Sequence, residues 1–192
     1  MDINKIKKNK NKIIGKQIEY YSEISSTHKY ANYIAQNNKI NGKLIIADKQ
    51  TDGIGTKGRL WHTEDEDNIA LTVITYPKCN VQELKTLTID IAKCMKKAIK
   101  DLYDIELTIK EPNDLMLNSK KIGGILTQIN TRAEKIEYLL ISIGFNVNKE
   151  HFTKDIQDIA TSLKKEYNKK FETEEIIIEF LQNLEKCIIN LI

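Results

Sequence analysis

Three stretches of the chain carry side chains that neither a hydrophobic core nor an ordinary turn requires. In TDGIGTKGRLW, residues 51–61, Gly53, Gly55 and Gly58 leave backbone amides open while Lys57 and Arg59 supply cations, a composition able to cradle an anion. A flexible hairpin connection has the same composition, so the glycines alone decide nothing. Trp61, which follows, reads as a packing anchor before it reads as a base-stacking platform. In KEPNDLMLNSKKIGGIL, residues 110–126, Lys110 leaves a strand beside Pro112 and two short polar side chains, Asn113 and Asp114. A cation is thereby set close to a pair that could orient an amide or serve a metal. Lys121 then precedes Gly123 and Gly124 inside an apolar run, where glycine signals either a close approach to the backbone or a bulge beside a surface lysine. In SIGFNVN, residues 142–148, Gly144 and Asn146 occupy strand positions that β-propensity disfavours.

Other chemistry is poorly supported. His28, His62 and His151 show no ligand spacing and read as surface or loop residues, and no Ser-His-Asp arrangement follows from spacing. Cys79, Cys94 and Cys187 are odd in number and contain no CxxC, which argues against a disulfide framework or a zinc site. The 30 basic residues exceed the 27 acidic ones by only +3, so the chain is no polycation seeking nucleic acid. Nearly all of that basicity is lysine, Arg59 and Arg132 being the arginines, and arginine is the usual bidentate grip on phosphate. Hydrophobic residues at 41% and charged ones at 30% describe a globular domain without a bilayer-spanning run. The start, MDINKIKKNKNKIIGK, has no apolar signal region, and the expected setting is reducing and cytoplasmic.

The elements that must position these residues form one domain of 192 residues. Residues 5–16, with six lysines, form a biased segment, 1–16, expected to be a solvated tail in preference to a nucleic-acid or acidic-surface arm. Strands are expected at 17–22, 43–48, 68–76, 106–110, 121–130 and 137–147, the last two joined antiparallel through a charged turn at 131–135. Ser25, Ser26 and Thr27 read as the N-cap of a helix through Tyr30, Ile34 and Ala35. Leu84, Leu87, Ile91, Met95, Ala98 and Leu102 recur at helical spacing, and a last helix runs from Thr173 through Ile188. Strands interspersed with three helices predict an α+β fold, a mixed and largely antiparallel β-sheet flanked by helices.

Taken together, Ser26-Thr27, Gln50 with GIGTKGRLW, KEPND with KKIGGIL, GFNVN and ATSL (residues 160–163) resemble the biotin protein ligases in order and spacing from about residue 17 to residue 163. The resemblance implies a biotin protein ligase catalytic domain over 17–192, with the biotin and lipoate ligase fold akin to class II aminoacyl-tRNA synthetases. The expectation is that neither an N-terminal helix-turn-helix domain nor a C-terminal SH3-like domain accompanies it, and that DNA is no partner. The implied activity joins biotin to ATP with Mg²⁺, giving biotinyl-5′-adenylate, then transfers biotin to a lysine of a biotin carboxyl carrier protein domain. A homodimer is possible within such a family. A lipoate-type ligase of the same fold and a non-catalytic biotin or nucleotide binder are the alternatives.

By resemblance Lys110 is the α-phosphate lysine, Arg59 the loop arginine and Lys121 the lysine at the junction of biotin and phosphate. The biotin set is Ser26, Thr27, His28, Gln50, Gly53, Ile54, Gly55, Thr56, Lys121, Gly123 and Gly124; the ATP set is Lys57, Arg59, Trp61, Lys110, Asn113 and Asn146. No protein side chain is assigned as a metal ligand. The loop departs from the family's GRGRxGRxW at Ile54 and Thr56, and KWPND has Glu111 for tryptophan. Two uncharged side chains there cannot make charge-assisted bonds to an adenylate, and the glycines suit a loop that orders over its ligand.

Overall fold

Alternation in the strands divides the core in two. The computed structural model describes residues 1–61, 63 and 68–192; His62, which was read as a surface or loop residue, lies outside them. Strands β1 (Ile18–Ile24), β2 (Lys43–Gln50), β3 (Ile69–Thr75), β4 (Thr108–Lys110), β5 (Asp114–Leu117), β6 (Lys120–Arg132) and β7 (Lys135–Phe145) form one sheet in the order β1-β2-β3-β7-β6-β5-β4. The pair β1/β2 is parallel and the other neighbours are antiparallel. Leu44, Ile46, Leu71, Val73, Leu139 and Ile141 point to one face, where α3 (Leu87–Tyr103) and α5 (Thr173–Ile188) close the larger core. Ile45, Ile74, Tyr138 and Leu140 point to the other, under α2 (Thr27–Asn37). The expected α+β class, with its mixed and mostly antiparallel sheet, is the observed one.

Helix α2 covers only part of its face, and the strands leave a trough beside it. Ala47, Ala70, Gly144, Gly124 and Asp114 are ladder partners in one row across the sheet. Small side chains in register leave room above the sheet that packing elsewhere fills. In the next row stand Thr72, Ser142 and Leu126.

Four details differ from expectation. A strand, β5, lies between Pro112 and Lys121, and two short helices, α1 (Ile3–Lys7) and α4 (Leu163–Tyr167), join the three anticipated; five residues are too few to show helical periodicity. The β6/β7 turn tightens to Ala133 and Glu134, both at positive φ, as a two-residue turn between twisted strands requires. The lysine-rich start is no solvated tail. Ile6 and Ile14 are fully buried, and the Glu185 carboxylate of α5 accepts the N–H groups of Lys12, Ile13 and Ile14 at 2.6–2.8 Å. Its lysines mostly face solvent while Ile6, Asn9, Asn11 and Ile14 are buried, a division that composition alone conceals. Residues 51–61 are no open loop: Trp61 N donates to Gly53 O at 2.8 Å and Gly55 N to Arg59 O at 2.7 Å, closing a small hairpin.

Candidate functional site

A cavity of about 230 Å³ occupies the trough, between the sheet, the 53–61 hairpin and the segment from Lys149 to Ala160. Its walls are mostly apolar with a minority of polar groups among them, the usual construction of a small-molecule site.

At the inner end a chain of hydrogen bonds crosses from β2 to α2. Gln50 Oε1 accepts from Thr27 N at 2.8 Å and from Thr27 Oγ1 at 3.0 Å, and Gln50 Nε2 donates to Thr63 Oγ1 at 3.2 Å. Thr72 Oγ1 donates to Thr27 Oγ1 at 3.0 Å and lies 2.8 Å from Ser142 Oγ, which is 2.8 Å from His28 Nδ1. His28 Nε2 meets the Gln128 amide at 2.7 Å. The ring is 5% exposed, so its reading as a surface residue is corrected. Burial pushes its pKa below the ordinary value, so the neutral form dominates at pH 7.

At the outer end stands Lys121, placed by a bulge. Leu115 pairs with Gly123 and Met116 with Lys121, leaving Ile122 as the extra residue in β6. Such an insertion re-aims the side chains before it: Ile122 enters the larger core, while Lys121 Nζ reaches Asp114 at 2.6 Å on the cavity side. The Lys121 ammonium lies 5.7 Å from the Trp61 ring centroid. The indole itself rests on the backbone of Gly144, so close that a Cβ there would fall 2.2 Å from its Cε2. The ATSL stretch runs beside Lys121, whose N–H donates to Ile159 O and whose carbonyl accepts from Thr161 N.

The fold gathers twelve of the expected residues around this space: Thr27, His28, Gln50, Ile54, Gly55, Thr56, Arg59, Trp61, Asn113, Lys121, Gly124 and Asn146 all line it. Asn113 and Asn146 also tie the walls together, donating to Ile125 O at 3.1 Å and Thr161 O at 3.0 Å. Arg59 folds back onto its own hairpin, its guanidinium bonded to Thr56 O and Thr56 Oγ1.

Five expected residues do not line the cavity. Lys110 ends β4, the outermost strand, as the ladder partner of Asp114 at the edge of the same row; its exposed side chain does not line the cavity, whereas Lys121 does. Ser26 is fully buried and spends its hydroxyl as the N-cap of α2, accepting from Lys29 N. Gly53 is needed by the hairpin, where a Cβ would meet Trp61 O at 2.5 Å; Gly123 packs on Phe145, where a Cβ would stand 2.6 Å from Cδ2. Lys57, at φ 59°, is exposed at the hairpin tip.

Ser142, Lys149, Phe152, Ile156 and Ile159 line the cavity without having been singled out. Ser142 and Thr72 carried a signal, each a hydroxyl inside an apolar strand. Lys149, only 4% exposed, and the 152–159 segment carried none, because their position depends on how the chain returns past β6.

Residues 20–148 match the biotin/lipoate A/B protein ligase family. Over 179 residues the chain is 34% identical to the bifunctional ligase/repressor BirA of Bacillus subtilis (strain 168) and 35% identical to that of Bacillus spizizenii, covering 92% of this chain and 55% of each relative. It thus spans about half the length of these curated relatives. The biotin protein ligase from Aquifex aeolicus in complex with biotin and ATP superposes with a TM-score of 0.76 at 24% identity, covering 90% of this chain and 70% of that one. That likeness is one of fold.

Proposed function

The chain belongs to the biotin/lipoate A/B protein ligase family, and from that premise we propose that it carries the catalytic unit of an ATP-dependent biotin ligase acting on a carboxyl carrier protein. The observation that carries this reading is the pairing, in one mostly apolar cavity, of a hydrogen-bonding floor at Thr27, Gln50 and Ser142 with a cation, Lys121, at the opposite end.

Biotin is an acid whose head is a cyclic urea. Once buried, its two N–H groups and carbonyl need partners, and the hydroxyls and amide of the floor are of the right kinds. The fused rings and chain lie against Ile54, Ile143 and the Trp61 indole, and the carboxylate then points toward Lys121. Attack of that carboxylate on the α-phosphate of ATP brings two anions together. The Lys121 ammonium, held by Asp114, is already oriented to offset that repulsion, and a fixed charge of this sort typically contributes about 3–4 kcal/mol to barrier lowering. The products are biotinyl-5′-adenylate and pyrophosphate.

In the second half-reaction a neutral carrier lysine attacks the acyl carbonyl and AMP leaves, so the protein supplies no covalent nucleophile. Its task is to keep water from the mixed anhydride, which the hairpin and the apolar residues Phe152, Ile156 and Ile159 serve by covering the cavity. Among the described residues no group of three or more His, Cys, Asp or Glu could hold a metal ion, and Asp114 is engaged by Lys121. Mg²⁺ enters this reading as part of the MgATP substrate.

The test is incubation with MgATP, a carboxylase carrier domain and either biotin or lipoate. Gain of one biotinyl group on a single carrier lysine supports the reading; transfer of lipoate alone, or binding without transfer, overturns it.

A further inference from the structure

The hydrogen-bond chain at the cavity floor can be counted proton by proton, and the count assigns a task to His28. Four links join five atoms: Gln50 Oε1 to Thr27 Oγ1, Thr27 Oγ1 to Thr72 Oγ1, Thr72 Oγ1 to Ser142 Oγ, and Ser142 Oγ to His28 Nδ1. Gln50 Oε1 can only accept, since the other end of that amide donates to Thr63. The three hydroxyls supply three protons for four links. The fourth must come from the ring, so Nδ1 carries a proton and every hydroxyl in the row donates toward Gln50.

A neutral ring protonated at Nδ1 leaves Nε2 bare, in need of a donor. Gln128 sits 2.7 Å away and bonds on to Asn32, which bonds to the Tyr138 hydroxyl. The oxygen and nitrogen of an amide exchange places by a half-turn. With Gln128 and Asn32 both turned, Gln128 donates to Nε2, Asn32 donates to Gln128 and then to Tyr138, and no link is lost.

We propose that His28 is a positioning residue for head-group selection: by donating from Nδ1 it locks the Ser142, Thr72 and Thr27 hydroxyl protons into the wall. The cavity is then offered spare lone pairs on Thr27 and Ser142 and the second N–H of Gln50. Such a floor takes a ligand that donates twice and accepts once, as a cyclic urea does, and rejects one that presents acceptors only, because two lone pairs would then face each other. Without the ring donor the Ser142 proton is free to turn into the cavity. This inference rests on the biotin reading for its ligand but not for its proton arrangement.

Two measurements test it. Nitrogen-15 spectra of the free protein at pH 7, with the His28 signals assigned by their loss in a variant, should show Nδ1 protonated and Nε2 bare; the opposite tautomer overturns the proposal whatever the ligand. Titration with biotin and with a cyclic-carbamate analogue, one ring N–H replaced by O, should show wild type favouring biotin by about a hundredfold or more. That ratio should fall about tenfold in His28→Leu and recover in His28→Asn, whose amide places an N–H near the position of Nδ1. An unchanged ratio in His28→Leu, or no recovery in His28→Asn, overturns the proposal. Wild type that binds neither compound sinks the biotin reading instead, and the spectra still decide the tautomer.

Discussion

Substituting Gly144 by alanine should unseat Trp61 while leaving the sheet in place. The added Cβ would lie 2.2 Å from Cε2, 2.4 Å from Nε1 and 2.6 Å from Cζ2 of the indole, against an optimum of about 3.5–4.0 Å for carbon contacts. One partner must retreat by more than about 1 Å. The strand cannot, because Gly144 sits mid-sheet with Ala70 of β3 on one side and Gly124 of β6 on the other. The indole therefore moves, drawing on the hairpin through its backbone bond to Gly53 and losing its place beside Lys121. Overpacking of this kind costs about 1–3 kcal/mol, and the lost cation–π contact adds about 0.5–1 kcal/mol. The assay is direct, because Trp61 is the chain's one tryptophan: emission should shift to the red and acrylamide quenching increase, with the far-ultraviolet dichroism unchanged. Gly55→Ala is the control, since its Cβ meets nothing nearer than Arg59 O at 3.5 Å. Emission and quenching identical to wild type in Gly144→Ala would refute the idea that the missing side chain makes the indole's seat.

Lys121→Ala should slow pyrophosphate release by about 10²–10³-fold, whereas Lys110→Ala should cost less than about tenfold because its side chain is outside the cavity; equal losses would return Lys110 to the mechanism. Thr56→Arg should slow escape of the adenylate, both by adding a cation at a cavity-lining position and by removing the Thr56 hydroxyl that holds one end of the Arg59 guanidinium; an unchanged dissociation rate counts against retention by this loop. Burial would raise the Glu185 pKa, but the N–H bonds from Lys12, Ile14 and Ile13 outweigh it and hold the carboxyl below its ordinary 4.5. A lowered folded-state value means that the carboxylate stabilises the docked N-terminus above pH 4.5 and that this contribution is lost as pH falls through the folded-state pKa. Glu185→Gln should accordingly cost about 1–3 kcal/mol and speed amide exchange at residues 12–14; exchange as slow as in wild type would show that the segment is held by its isoleucines alone.

What could be read along the chain was what local interactions set. The long periodic α3, the β-branched β3 and the acidic first turn of α5 follow from period and propensity, and they appear nearly where expected. The glycine-bearing stretches marked the right region, since a residue lacking a side chain within a strand has to be explained by whatever approaches it. At Gly144 that neighbour is the protein's own tryptophan. Gly53 and Gly123 are likewise demanded by internal packing, a distinction that lies in the third dimension. The chain order alone thus determined an α+β domain with its polar and cationic residues in identifiable stretches.

Tertiary structure decided which of those residues meet. Lys110 and Lys121 look equally placed in sequence, yet one extra residue in β6 turns Lys121 to the cavity while Lys110 ends an edge strand. His28 looked like a surface residue until Ser142 and Gln128, more than ninety positions away, closed around its two nitrogens. The physical reason is common to both cases. A side chain's direction and its partners depend on strand register and on contacts between distant segments, and neither is encoded in the spacing of neighbouring residues.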